Sequence, residues 1–182
     1  PAPFPVTPDL FLDAGGNPMP FREALIGGRS VGVPGLARLL ELAHRRHGRL
    51  PWKALFEPPI ALAENGYPLC GRVHQILARV PELAQDPAAR ALYLQADGTP
   101  KPAGSELRNP QLAATLRALA ARGADAFYRG PIARAIATTV QGHANPGTLS
   151  EQDLPAYTVR EVEPLCRPYR SYRVCGMPPS SS

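Results

Sequence analysis

The sequence predicts a mainly α-helical segment that closes in a C-terminal β-hairpin. Three observations carry this. Apolar residues recur at i, i+3, i+4 and i+7 between Pro34 and Val140. Proline at the first helical position, twice preceded by a capping Asp or Asn, punctuates those stripes. Beyond the 142–147 turn the period falls to two, with charges alternating against β-branched and aromatic residues. Helices come before strands instead of alternating with them, which argues against a doubly wound parallel sheet. The 182 residues read as a single segment: a turn-rich arm over 1–33, a helical region over 34–140, and a strand hairpin over 148–182.

The arm is crowded with helix breakers, DAGGNPMP at Asp13–Pro20 and then Gly27, Gly28 and Gly32. In PGLARLLELAHRRHG, Leu36, Leu39, Leu40 and Ala43 share one helical face between a proline start at Pro34 and a glycine stop at Gly48. PWKALFEPPIALAENG predicts a short helix, an interruption at Pro58 and Pro59, and a second helix through Ile60, Leu62 and Ala63 to Gly66. RVHQILARVPEL sets Val73, Ile76, Leu77 and Val80 on one face, and in DPAARALYL Asp86 caps a helix whose first residue is Pro87. Asn109 and Pro110 repeat that pairing ahead of Leu112, Leu116 and Leu119, with Gly123 as terminator; Pro131 to Val140 forms one more helix. From Tyr157 to Met177 the pattern is extended.

Composition excludes several classes. The net charge is +5, and HRRHGR at His44–Arg49 is the densest basic stretch. Those cations sit where a helix ends, complementing the carbonyl end of its dipole, and no basic stripe interleaved with aromatics points to nucleic acid. No run reaches the ~18 consecutive apolar residues that a membrane span needs.

The residues carry no recognisable catalytic, substrate-binding or metal-ligating set. His44 and His47 lie three apart without a Cys or carboxylate at ligand spacing. GGRSVG at Gly27–Gly32 lacks the preceding apolar strand and the Lys-Ser or Lys-Thr of a phosphate loop. Ser180, Ser181 and Ser182 have no placed base, and the pairs Glu151 with Asp153 and Glu161 with Glu163 suit an exposed strand face. No cofactor is implied.

The cysteines say more. With Arg170 and Ser171 as a two-residue loop, Tyr169 faces Tyr172, Pro168 faces Arg173, Arg167 faces Val174 and Cys166 faces Cys175. Pro168 and Cys166 then occupy non-hydrogen-bonded pairs, where proline loses no ladder donor and opposed side chains come closest. A Cys166–Cys175 disulfide would fit there, with Cys70 free. Two unbridged strand cysteines are the alternative, because Arg-Ser is not a favoured type I′ loop.

Several stretches together resemble one family. APFPVTPDLFLDAGGNP, GGRSVGVPGLARLLELAHRRHGRLPWKALFEPPIALAENGYPL, GADAFYRGPIARAIA and GTLSEQDLPAYTVREVEPLCRPYRSYRVCGMPPSSS are similar, in that order, to the large subunit of the γ-glutamyltranspeptidases, or glutathione hydrolases. The most specific pieces are GVPG at Gly32–Gly35, AFYRG at Ala126–Gly130, DLPAY at Asp153–Tyr157 and the closing MPP. The resemblance implies a fragment of an α/β N-terminal-nucleophile hydrolase with an αββα sandwich. It also implies that a small subunit's Thr attacks γ-glutamyl amides such as glutathione, and that its free α-amine acts as base. Water or an amino acid would then accept the γ-glutamyl group. By that likeness Ser182 is a cut edge, with Ser180 standing where the family has a third proline. The family's substrate-binding arginine lies before Ala2, and Arg22, in FRE, does not inherit the role because it follows LFLDAGGNP.

The partners implied are the remainder of the polypeptide with its small subunit and a small γ-glutamyl substrate, in the periplasm or outside the cell. The segment alone should be inactive and should self-associate. An autonomous helical protein-interaction domain without catalysis is the alternative reading.

Overall fold

Proline and glycine set most helix boundaries in the computed structural model, which describes Pro3 and residues 6–178. The readings attached to Ala2 and to Ser180, Ser181 and Ser182 lie outside the described residues. The arm holds a 3-10 turn at Pro8–Phe11 and the short helix α1 (Phe21–Leu25). It is followed by α2 (Leu36–His47), a 3-10 turn at Trp52–Phe56, α3 (Glu57–Asn65) and α4 (Gly71–Leu77). After a 3-10 turn at Pro81–Gln85 come α5 (Pro87–Tyr93), α6 (Pro110–Arg122), α7 (Asp125–Tyr128), α8 (Pro131–Gly142) and α9 (Asp153–Ala156).

Two capping side chains do what their spacing predicts. The Asp86 carboxylate accepts the Ala89 N–H at 2.6 Å, and Asn109 Oδ1 accepts the Leu112 N–H at 2.9 Å. Each such cap satisfies an otherwise orphaned amide and contributes about 1 kcal/mol. At the other end of α6, Gly123 turns the chain at φ 71°, in the left-handed region where a side chain is strained.

α3 packs on α6 through small residues: Ala63 and Ala113 are buried, and the Asn109 N–H donates to the Ala63 carbonyl at 2.7 Å. The Trp52 indole N–H donates to the Leu119 carbonyl at 2.9 Å, pinning the 52–56 turn against α6. The main core gathers Val33, Ala124, Tyr128, Ala133, Val140, Leu149 and Leu154. A smaller one under α4 and α5 holds Leu69, Leu77 and Leu107. Lys101 closes α5 there, its ammonium donating to the carbonyls of Ala91 and Leu92 at 3.1 and 2.9 Å.

Several elements differ from the sequence reading. A two-residue strand β1 (Tyr67–Pro68) pairs antiparallel with β2 (Glu106–Leu107), so strand pairing also occurs inside the helical region. Pro58 and Pro59 begin α3 instead of interrupting a helix, because the first turn has no intrahelical N–H partners to lose. α4 stops at Leu77, leaving Val80 outside it before Pro81. On α6 it is Ala113 that is buried, whereas Leu112 is exposed, since the close approach of α3 admits only small side chains.

The extended stretch is shorter than 157–177. α9 ends just before it, residues 157–164 carry no regular structure, and regular strands are β3 (Leu165–Tyr169) and β4 (Tyr172–Gly176). Their register pairs Tyr169 with Tyr172, Pro168 with Arg173, Arg167 with Val174 and Cys166 with Cys175, as the two-residue loop requires. The Cα atoms of Cys166 and Cys175 are 4.1 Å apart and their sulfurs are bonded.

Candidate functional site

Three of the most distinctive sequence pieces, far apart in the chain, meet at one junction. Tyr128 of α7 is fully buried, and its hydroxyl donates to the Pro34 carbonyl at 2.8 Å. The Arg38 guanidinium lies over the same ring, 4.4 Å from its centre, and reaches Asp125 at 3.2 Å. Tyr157, just after α9, stacks against Tyr128 with ring centres 6.0 Å apart. Burial pushes the Tyr128 phenol above its ordinary pKa, so it stays neutral and acts as a hydrogen-bonding pillar. Gly35 gives the Tyr157 hydroxyl its room, since a Cβ there would run into it unless the ring shifted. Glu41 of α2 accepts the Ala124 N–H at 3.0 Å, tying α2 to the start of α7.

A second lock joins the arm to α8. The Gly28 N–H donates to the Asn145 carbonyl at 2.8 Å, and the Asn145 amide donates to the carbonyls of Glu23 and Ile26 at 2.9 and 2.8 Å. A Cβ on Gly28 or Gly147 would strike backbone atoms of the opposing strand of chain. Gly27 and Gly28 of GGRSVG thus serve close backbone approach. Arg29 extends the lock by donating to the Leu10 carbonyl at 3.0 Å.

The other singled-out residues are spread apart. Arg22 pairs with Glu82. His44 Nε2 lies 2.8 Å from the Leu50 carbonyl, with its ring edge-on to Trp52, and His47 is exposed. Glu151 faces Arg134 at 3.4 Å, Asp153 accepts the Ser150 N–H and hydroxyl at 2.8 and 2.7 Å, and Glu161 pairs with Arg46 at 2.8 Å. Glu163 and Cys70 are exposed. Among the described residues no group of three His, Cys, Asp or Glu is gathered where it could hold a metal ion. Arg38, Glu41 and Asn145 escaped the sequence reading, since a polar side chain whose partner is distant in sequence, a ring and carboxylate for Arg38 and backbone for Glu41 and Asn145, leaves no local pattern.

What the geometry leaves open is apolar. Leu36, Leu39 and Leu40, the face that should seat α2, are 65%, 47% and 52% exposed. Beside them, Ala37, Trp52, Phe56, Leu116, Leu119 and Phe127 line a cleft of about 400 Å³. An apolar face left uncovered on this scale marks an interaction surface.

The family model described as Gamma-glutamyltranspeptidase matches residues 1–182. The chain belongs to that family. It is similar to the glutathione hydrolase proenzyme of Bacillus subtilis (strain 168), 36% identical over 181 residues, which cover 100% of this chain and 30% of that protein. It is also similar to the acylase ACY 1 proenzyme of Pseudomonas sp. (strain SE83), 34% identical over 88% of this chain and 28% of that protein. The crystal structure of Helicobacter pylori γ-glutamyltranspeptidase superimposes with a TM-score of 0.91 at 29% identity, over 99% of this chain and 51% of that one. The chain spans about 30% of the length of the glutathione hydrolase it matches. The junction of GVPG, AFYRG and DLPAY is thus the part of the γ-glutamyltranspeptidase segment that holds α2, α7 and α9 together.

Proposed function

We propose that these residues are a portion of the large subunit of a γ-glutamyltransferase, or glutathione hydrolase. The whole enzyme cleaves γ-glutamyl amides such as glutathione and passes the γ-glutamyl group to water or an amino acid. The observation that carries this reading is the family match along residues 1–182. By the family resemblance the nucleophile is a small-subunit Thr outside this segment, its α-amine the base, and backbone N–H groups of a glycine pair steady the oxyanion. None of these groups lies among Pro1–Ser182, so the segment alone is inactive. Its own residues build a wall: the Tyr128 junction and the Asn145 lock fix the helices, while the α2 face and the hairpin lean on catalytic layers in an αββα sandwich.

In this reading 1–33, 34–140 and 148–182 are parts of one segment that does not fold as separate domains, and removed from its partner layers it self-associates through the uncovered leucines. The periplasm or cell exterior suits the Cys166–Cys175 bond, since disulfides persist in oxidising compartments. No helix among the described residues is long and apolar enough to cross a membrane.

Acylase chemistry on a different amide is the second reading, favoured by the 34% identity to the acylase proenzyme. The fuller coverage by the glutathione hydrolase, 100% against 88%, ranks it second. The test is the longer reading frame, expressed and allowed to process, assayed with γ-glutamyl-p-nitroanilide and with an acyl anilide lacking the γ-glutamyl group. Turnover of the first alone supports the proposal; turnover of the second alone replaces it with the acylase, and processed protein inert to both leaves the non-catalytic interaction domain.

A further inference from the structure

We propose that β4, and not β3, is the edge through which the hairpin enters a larger sheet, and that the strand joining it comes from polypeptide outside these 182 residues. The inference rests on the reading of the chain as part of a longer enzyme.

It follows from the register. Tyr169 and Tyr172 flank a two-residue loop and form a hydrogen-bonded pair, so Arg167 with Val174 and Leu165 with Gly176 are hydrogen-bonded pairs as well. The pairs between them, Pro168 with Arg173 and Cys166 with Cys175, turn their backbone groups away from the ladder. The outer side of β3 therefore offers the Cys166 N–H and no donor at Pro168, whose ring also fills the space a neighbouring strand would occupy. The outer side of β4 offers N–H and carbonyl groups at both Arg173 and Cys175. One edge is blunted and the other is complete.

The side chains agree on what the partner is. Residues of paired parity share a face, which puts Leu165, Tyr169, Tyr172 and Val174 together, 52%, 59%, 72% and 57% exposed, with Arg167 opposite Val174 as the one charge among them. The opposite face carries Cys166, Pro168, Arg173 and Cys175. The bond between Cys166 and Cys175 fixes the register, so these faces cannot exchange by a one-residue slip. A lone two-stranded ribbon is marginal in water, and among the described residues this one has neither a third strand nor a cover for its mostly apolar face. The glutathione hydrolase of Bacillus subtilis, of which the chain spans 30%, has ample further length to supply both. The incoming strand is free of proline opposite Arg173 and Cys175 and turns apolar residues to the Tyr172 and Val174 side.

The experiment is residue-resolved amide exchange on the full-length processed protein, with γ-glutamyl-p-nitroanilide turnover measured on the same preparation. The Arg173 and Cys175 amides are expected to exchange about 100-fold more slowly than the Cys166 amide, because only a strand on β4 protects them. A slow Cys166 with fast Arg173 and Cys175 would assign the joining edge to β3 and overturn the proposal, as would fast exchange at all three. Protection that grows with protein concentration would make the partner a second copy and overturn it equally. The two readings fail separately: fast amides with retained turnover remove the edge assignment alone, whereas slow amides without turnover remove the enzyme and leave the edge. As a second variant, Arg173→Pro deletes one outward donor without touching the β3–β4 ladder, and should release protection at Cys175; Pro168→Ala should leave it unchanged.

Discussion

The Tyr128 junction and the C-terminal hairpin are built from similar residues and end in opposite states. Tyr128 is fully buried with its hydroxyl paired, whereas Tyr169 and Tyr172 are 59% and 72% exposed. The glycines divide the same way. Gly28 and Gly35 are packed so closely that a Cβ would collide, while a Cβ on Gly176 would meet nothing within 4 Å. Local order therefore does not measure completeness. The junction pairs the Tyr128 hydroxyl and fills its volume within the segment, with Arg38 Nε its one buried polar atom lacking a partner among the described residues; the hairpin pairs only the inner side of each strand, and the outer face of α2 is uncovered.

Substituting the two aromatic sites should give the largest contrast. Tyr128→Ala removes a buried ring and its bond to Pro34, and is expected to cost about 3–5 kcal/mol. Tyr172→Ala, on the exposed end of the ribbon, should cost less than about 1 kcal/mol in the isolated segment. Urea unfolding of both variants checks this, and equal losses would mean that the hairpin is already packed. Next in size is Gly28→Ala, which forces backbone apart at the Asn145 lock for about 1–3 kcal/mol. The matching Gly176→Ala should be neutral within about 0.5 kcal/mol by the same measurement.

The α2 face separates the segment from the whole enzyme. Leu36→Ser with Leu40→Ser should weaken self-association of the isolated segment about tenfold, near 1.4 kcal/mol, by sedimentation or light scattering. In the full-length protein the same pair should instead lower the unfolding midpoint, because there the leucines are covered. Unchanged association in the segment would move the contact to the hairpin.

Much of this contrast is legible in the amino-acid sequence. Caps at Asp86 and Asn109 are local signals, and the hairpin register follows from counting outward from Arg170 and Ser171. The β1–β2 pair is not legible, since two residues at 67–68 and two at 106–107 carry no periodicity, and their pairing is decided by the Leu69, Leu77 and Leu107 core. Nor is α9, where Asp153 accepts from Ser150 and opens a single helical turn just ahead of the run that alternates. The leucine stripe of α2 is plain in the sequence, but periodicity shows only that a face is apolar. What covers it depends on residues outside the stripe, and in this case outside the segment.

The hairpin loop supplies the smallest and most local test. Arg170 adopts φ 53° at the turn, a conformation that favours glycine and costs an L side chain about 1 kcal/mol. Its guanidinium lies 5.3 Å from the centre of the Tyr169 ring, an exposed contact that returns about 0.5 kcal/mol. Arg170→Gly relieves the first and loses the second, so the ribbon should gain a few tenths of a kcal/mol. Thermal unfolding of the full-length protein should scarcely move, since loop strain is minor beside sheet burial. The gain should appear instead as slower exchange of the ladder amides at Arg167 and Val174, which belong to the hairpin alone. A loss of protection there would show that the Arg170–Tyr169 contact, and not the backbone, holds the turn.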